Sequence, residues 1–195
     1  MRLVIGISGS TGAIYGVRLL EVLKTSPEVE THLVVSEPAK KTIEYETGWD
    51  HRDVMAMASV CYDHRDVGAA ISSGSFPTDG MVIAPCSIKS LSSVANSYND
   101  NLLTRAADVS LKERRKLVMV VRETPLNRNH LRLMLDATDA GAIILPPLPS
   151  FYHLPKTVDD IVNHTVQKVL DQFGIEKGLF QRWTGQITVD AHGPS

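Results

Sequence analysis

Cysteine is scarce in this chain of 195 residues. There are two, Cys61 and Cys86, with no Cys-x-x-Cys pair. That excludes a disulfide framework and fits a reducing compartment, so a cytoplasmic protein is expected. Long apolar runs are missing too. No stretch nears the roughly 20 residues of a membrane span. The amino terminus has one early arginine, then a strand-like run and a glycine loop, which is not the form of a signal peptide. There is no excess of positive charge: 20 Lys and Arg face 22 Asp and Glu, for a net charge of −2. A nucleic-acid partner is therefore not expected, although a local basic pocket remains open. The seven histidines fall in no HExxH or similar spacing, so no metal site is expected.

What is present is ordinary in bulk and specific in detail. Apolar residues make up 43% and charged residues 22%, enough for one α/β domain with a sizeable core. The chain opens on Arg2-Leu3-Val4-Ile5-Gly6-Ile7-Ser8-Gly9-Ser10-Thr11-Gly12. An apolar strand runs straight into a loop of small residues, and a helical pattern follows from Ala13 to Leu23. Glycines at 6, 9 and 12 permit a tight turn and close approach to a ligand. Ser8, Ser10 and Thr11 place hydroxyls where the helix offers free N–H groups and its positive end. This reads as a phosphate cradle. The other reading is that the small residues only let helix and strand pack closely.

Further along, strands are predicted at 2–8, 30–35, 59–62, 80–84, 117–121 and 142–145. Helices are predicted at 12–25, 38–47, 51–58, from 87, and at 102–115, 127–139 and 158–173. Gly48 stops the second helix, and Thr157 with Asp160 forms an N-cap signature for the last. Strands alternate with helices and several are continuously apolar, which predicts a parallel sheet buried on both faces. One domain is expected over 1–184, with a polar tail at 185–195.

Ligands in such sheets bind beyond the carboxyl ends of the strands. There the chain places Ser8 to Thr11, Ser36, then Cys86, Ser87 and Lys89, then Arg122 and Glu123, then Ser150 and Tyr152. Hydroxyls converging with Lys and Arg suit a phosphorylated ligand. The glycines are spaced Gly6-x-x-Gly9-x-x-Gly12, not GxGxxG, and no acidic residue ends the second strand, which disfavours NAD. No Gly-Lys-Ser/Thr follows, which disfavours a nucleotide triphosphate. A mononucleotide such as FMN fits better. Arg122 and Glu123 are either paired with each other or used on a ligand. Lys112 to Lys116 reads as cations at a helix end, unless Lys112 turns inward. Glu46 by itself reads as a solvated helix residue, Lys168 as a snorkelling lysine, Cys86 as a small buried hydrophobe and Trp183 as packing. Asp159 and Asp160 sit in a first helical turn, which suits the dipole better than a metal.

Seven segments occur together and in order: Gly6-Ile7-Ser8-Gly9-Ser10-Thr11-Gly12-Ala13-Ile14-Tyr15-Gly16, Ser73-Gly74-Ser75, Pro85-Cys86-Ser87, Arg105-Ala106-Ala107-Asp108, Leu111-Lys112-Glu113-Arg114, Arg122-Glu123-Thr124-Pro125 and Pro149-Ser150-Phe151-Tyr152-His153. In these the chain resembles the UbiX-type flavin prenyltransferases, over about residues 1–184. The resemblance implies a Rossmann-like, flavodoxin-like three-layer fold with a mostly parallel sheet, and a homo-oligomer, typically a dodecamer. It implies metal-independent transfer of a dimethylallyl group from dimethylallyl phosphate to N5 and C6 of reduced FMN. The prenylated FMN would serve UbiD-type decarboxylases.

Carried over by position, the resemblance gives Gly9, Ser10, Thr11, Ser36, Ser87, Ile88, Lys89, Ser90 and Arg122 to FMN. It gives Ser73, Lys112, Arg122, Glu123, Tyr152 and Lys168 to the prenyl phosphate. Glu46 and Trp183 would complete the pocket with groups from a neighbouring subunit. The catalytic set is then Glu123, Lys112, Ser73, Glu46 and Tyr152. Two positions depart from the family: Thr11 replaces a serine, and Lys168 stands where some members have arginine, losing the bidentate fork. The alternatives are a non-catalytic FMN carrier subunit of a decarboxylase and a flavin-dependent cysteine decarboxylase of the HFCD group. The latter carries Pro-Ala-Ser-Ala-Asn-Thr where this chain has Pro85-Cys86-Ser87-Ile88-Lys89-Ser90.

Overall fold

Apolar runs with no helical period become buried strands, because each must cover both of its faces. The computed structural model describes residues 1–185. Its strands are β1 (Arg2–Ile7), β2 (Glu30–Val35), β3 (Val60–Tyr62), β4 (Gly80–Cys86), β5 (Lys116–Val121) and β6 (Ala142–Ile144). All pair in parallel, in the order β3-β2-β1-β4-β5-β6. The short edge strand β3 aside, this is the flavodoxin-like order, whose switch point lies between β1 and β4. The helices are α1 (Ala13–Lys24), α2 (Glu37–Thr47), α3 (His51–Met55), α4 (Ile88–Ala95), α5 (Leu102–Lys112), α6 (Arg128–Asp139) and α7 (Val158–Asp171).

Alternation along β1 divides the interior into two cores. Leu3, Ile5 and Ile7 pack with Val17 and Leu20 of α1 and Val166 and Leu170 of α7. Val4 joins Met81, Leu91 of α4, Leu103 and Ala107 of α5, and Met119. Two of the early glycines serve this packing. A Cβ on Gly6 would lie 3.1 Å from Leu103, and one on Gly16 would lie 2.3 Å from the Ala84 carbonyl oxygen. For Gly6, then, the close-packing reading holds. Gly12 differs: its φ of 95° turns the chain into α1 through the left-handed region.

Helix ends follow local chemistry. Ser36, Ser87, Asn101, Asn127 and Thr157 each cap a helix by accepting a backbone N–H. The Thr157–Asp160 capping box is present. Four boundaries differ from expectation by two residues or more, one being α3, which ends at Met55 instead of 58. α5 ends at Lys112 instead of 115, because Arg114 takes φ 57° and the Arg115 guanidinium donates to the carbonyls of Gly74 and Phe76. β4 continues through Pro85 to Cys86, with a register shift against β5 after Ile83. α7 ends at Asp171, two residues early, where Arg182 bridges Asp171 and Glu176. The tail expected over 185–195 lies, from residue 186, outside the described residues.

Candidate active site

The carboxyl ends of β1 and β4 are stitched together at the switch point. The Ser8 hydroxyl donates to the Pro85 carbonyl (2.9 Å) and accepts the Ser87 N–H (2.7 Å). The Arg122 N–H donates to the Cys86 carbonyl (3.1 Å), which holds the end of β5 against the same seam. Two hollows open beside it. One, of about 190 Å³, is lined by Ser8, Gly9, Ser36, Pro38, His64, Ser87, Lys89, Ser90, Ser93, Asn101, Leu103 and Thr104. The other, of about 570 Å³, is lined by Thr11, Gly12, Ile14, Tyr15, Glu46, Val121 to Thr124, Pro146 to Leu148, Val158, Ile161 and Val162.

The small hollow is polar because three N-caps, Ser36, Ser87 and Asn101, meet in it. Ser36 opens α2, accepting from the Ala39 N–H at 3.3 Å. Ser87 opens α4, accepting from the Ser90 N–H at 3.2 Å and donating to the Ser90 hydroxyl at 3.1 Å. These helix dipoles favour an anion here, and Lys89 adds a cation. The Ser10 hydroxyl oxygen is buried without a hydrogen-bond partner. A buried hydroxyl without a partner among the described residues, in the loop that joins β1 to α1, fits a polar ligand nearby.

The first turn of α1 is arranged otherwise than expected. The N–H groups of Gly12 and Ala13 donate to one oxygen of Glu46, at 2.7 and 3.1 Å. The carboxylate reaches over from α2 and occupies the positive end of α1. The α1 amino terminus is thus met by a carboxylate of the same chain, while the amino termini of α2, α4 and α5 face the small hollow. Glu46 is not merely a solvated helix residue.

The large hollow is where Arg122 and Glu123 resolve. Among the described residues they form no ion pair with each other. Glu123 turns back to accept the Thr124 N–H at 3.0 Å. Arg122 is half-buried and lies close enough to Tyr15 that its charge opposes the rise that burial gives the Tyr15 hydroxyl pKa. An arginine held half-buried with no carboxylate partner is available to an anionic ligand. Cys86 is fully buried, and burial pushes its thiol far above the usual range, so it is no nucleophile.

One chain does not gather all the expected residues. Lys112 and Ser73 lie at the other edge of the sheet. Lys112 precedes the first residue of β5 and Arg122 follows the last, and a strand of that length spans about 20 Å. Lys112 pairs there with Glu113, against Gly74. Tyr152 and Lys168 lie on the flank of α7. The Tyr152 hydroxyl meets His164 at 3.2 Å, and its ring packs edge-on to Trp183 and Phe180. Lys168 reaches toward Asp171 at 3.8 Å. The metal reading of the α7 acids is displaced: Asp160 closes the capping box and Asn163 accepts from Arg18.

Sequence reasoning missed Tyr15 and His64. Tyr15 was inside a recognised segment but sits one helical turn past the loop. His64 follows the carboxyl end of β3, a position that the strand-end rule points to once that short strand is accepted.

Comparison with known proteins agrees with this geometry. The Flavoprotein family model matches residues 1–170. A flavin prenyltransferase UbiX from Thauera aromatica is 62% identical over 185 residues, covering 95% of each chain. A dodecameric FMN-dependent UbiX-like decarboxylase from Escherichia coli O157:H7 superposes with a TM-score of 0.93 at 53% identity, covering 95% of this chain and 100% of that one. AnUbiX (PadA1), solved in complex with FMN and dimethylallyl pyrophosphate, also gives a TM-score of 0.93. It is 45% identical, over 95% of this chain and 98% of that one. With its switch-point hollows and these relatives, the chain belongs to the UbiX-type flavin prenyltransferases of the flavoprotein family.

Proposed function

We propose that the protein transfers a dimethylallyl group from dimethylallyl phosphate to N5 and C6 of reduced FMN, yielding prenylated FMN. The observation that carries this is Arg122. It is a half-buried cation just past β5, without a carboxylate partner among the described residues, in a hollow shared with Glu123, Glu46 and an apolar wall. The neighbour solved with FMN and dimethylallyl pyrophosphate supports the same pairing of ligands.

The roles divide by hollow. In the small hollow Gly9, Ser36, Ser87, Lys89 and Ser90 hold FMN, the hydroxyls and Lys89 meeting its phosphate, and Ser10, Thr11 and Ile88 of the adjoining segments complete the flavin site. Ile14, Val121, Pro146, Pro147, Ile161 and Val162 form a wall that keeps water from an electron-poor allylic carbon. Arg122 neutralises charge between the two substrates. Glu123 relays a proton to the departing phosphate. Glu46 holds the loop in shape. Ser73 and Lys112, a strand's length from Arg122 in one chain, reach the prenyl phosphate from a neighbouring copy, and Tyr152, Lys168 and Trp183 complete its site. The dodecameric neighbour supports such an assembly. Residues 1–184 act as one flavoprotein domain. Among the described residues no helix is long and apolar enough to cross a membrane, and we place the protein in the cytoplasm. A UbiD-type decarboxylase receives the product.

The test is anaerobic incubation of purified protein with reduced FMN and dimethylallyl phosphate, followed by flavin mass measurement. One added five-carbon unit is expected. Unchanged flavin mass with flavin bound would overturn prenyl transfer in favour of a carrier.

A further inference from the structure

His64 stands apart from the other described histidines. His32, His51, His130, His153 and His164 each have a ring nitrogen within hydrogen-bond distance of a protein group. The ring of His64 has no such partner among the described residues, yet it is half-buried and lines the small hollow. Its backbone is fixed on both sides. It follows β3, which pairs with β2, and its carbonyl accepts the Leu102 N–H at 2.9 Å. The backbone that carries the ring is thus anchored without use of the ring nitrogens.

Resting on the reading of this hollow as the FMN phosphate site, we infer that His64 is a positioning residue for that phosphate. It binds as imidazolium, so phosphate entry is coupled to uptake of a proton. The hollow's other polar side chains are hydroxyls, the uncharged Asn101 amide and Lys89. Hydroxyls cannot neutralise a dianion, and Lys89 supplies one charge against nearly two on a phosphate monoester. A second cation is what the lining lacks when His64 is neutral.

The surroundings set when it charges. Glu37 on α2, Asp63 on its own loop and Asp100 between α4 and α5 favour the imidazolium; Lys89 on α4 opposes it. Burial outweighs them and lowers its pKa, so at neutral pH the ring is mostly uncharged before ligand arrives. A phosphate dianion in the hollow reverses that balance. His64 therefore takes up the proton on binding, and the coupling is lost at alkaline pH, where the ring stays neutral in both states.

The experiment titrates oxidised FMN, and in parallel riboflavin, into wild type, His64→Gln and His64→Lys at pH 6.0 and pH 8.5. At pH 6.0 wild type is expected to bind FMN about five- to tenfold more tightly than His64→Gln, the gap closing to within about twofold at pH 8.5. His64→Lys keeps tight FMN binding at both values. Riboflavin, without the phosphate, shows no such differences. Calorimetry in two buffers of different ionisation enthalpy reads the proton uptake directly, and it falls in His64→Gln. The phosphate's own ionisation is common to all variants and cancels in the ratio. A ratio that does not change with pH, or that riboflavin shares, overturns the role of His64 while leaving the FMN site intact. Failure of wild type to distinguish FMN from riboflavin at either pH overturns the reading of the hollow itself.

Discussion

Glu123 lies two residues beyond β5, and among the described residues its one side-chain hydrogen bond is local, accepted from the Thr124 N–H. Removing its charge should leave the fold and FMN binding in place. Glu123→Gln is expected to slow single-turnover prenyl transfer about 10²- to 10⁴-fold, the range for loss of a positioned acid–base group, with flavin affinity within about twofold of wild type. A rate near wild type would remove it from the mechanism. The two cysteines give a second check at this scale. Cys86 is fully buried with its thiol pushed far up, whereas Cys61 is exposed. A thiol reagent at pH 8 should titrate one group in the native protein and two in denaturant. Much of this was legible beforehand, because charged residues after an apolar run have few uses. Which use applied to Arg122 and Glu123 was not legible. Pairing depends on side-chain direction, and adjacent residues after a strand can point either way.

Among the elements, α1 and β4 touch most closely at Gly16, where a Cβ would lie 2.3 Å from a backbone oxygen. Backbone gives little, so Gly16→Ala should cost about 1–3 kcal/mol by overpacking. Chemical denaturation reads this, and an unchanged midpoint would mean the helix can slide freely on the sheet. Most elements could be read from the chain because their signals are local. β2 runs from Glu30 to Val35 as expected, and Gly48 closes α2 with φ 71°. The end of α5 could not be read. Lys112 to Lys116 has no breaker, and the helix stops because Arg115 is drawn to carbonyls some forty residues earlier in the chain. The Glu46 contact with α1 is hidden for the same reason: it joins residues 34 apart.

At the scale of the molecule, the expected site residues form three groups, at the strand ends, at the opposite sheet edge and on the α7 flank. If they act together, they do so between copies. Glu123→Gln and Lys112→Ala chains, each inactive alone, should recover part of wild-type turnover when co-assembled, because some interfaces pair an intact Glu123 with an intact Lys112. No recovery would place both groups in one chain's site. Sequence order carried the motifs but not this division, since spacing along a chain does not report distance across a sheet. Acid stability is also a property of the whole. Burial lowers the pKa of His32 and His164 below the ordinary 6.5. Below that pH the unfolded chain holds more protons than the native one, so stability falls as pH falls through the window. Thermal unfolding should come earlier at pH 5.5 than at pH 7, and His164→Gln should flatten the slope. A midpoint independent of pH would show that these rings charge as readily in the folded state.

The Glu46 carboxylate on the first turn of α1 has a consequence for turnover. A loop whose shape depended on its ligand would have to reorder each time a modified flavin left and a fresh one arrived. Here a carboxylate of the same chain takes two N–H groups of that helix end, so the first turn of α1 has its partner whether or not a flavin is bound. The protein behaves less as a resident holder of flavin than as a jig, ready for the next workpiece before the last has diffused away.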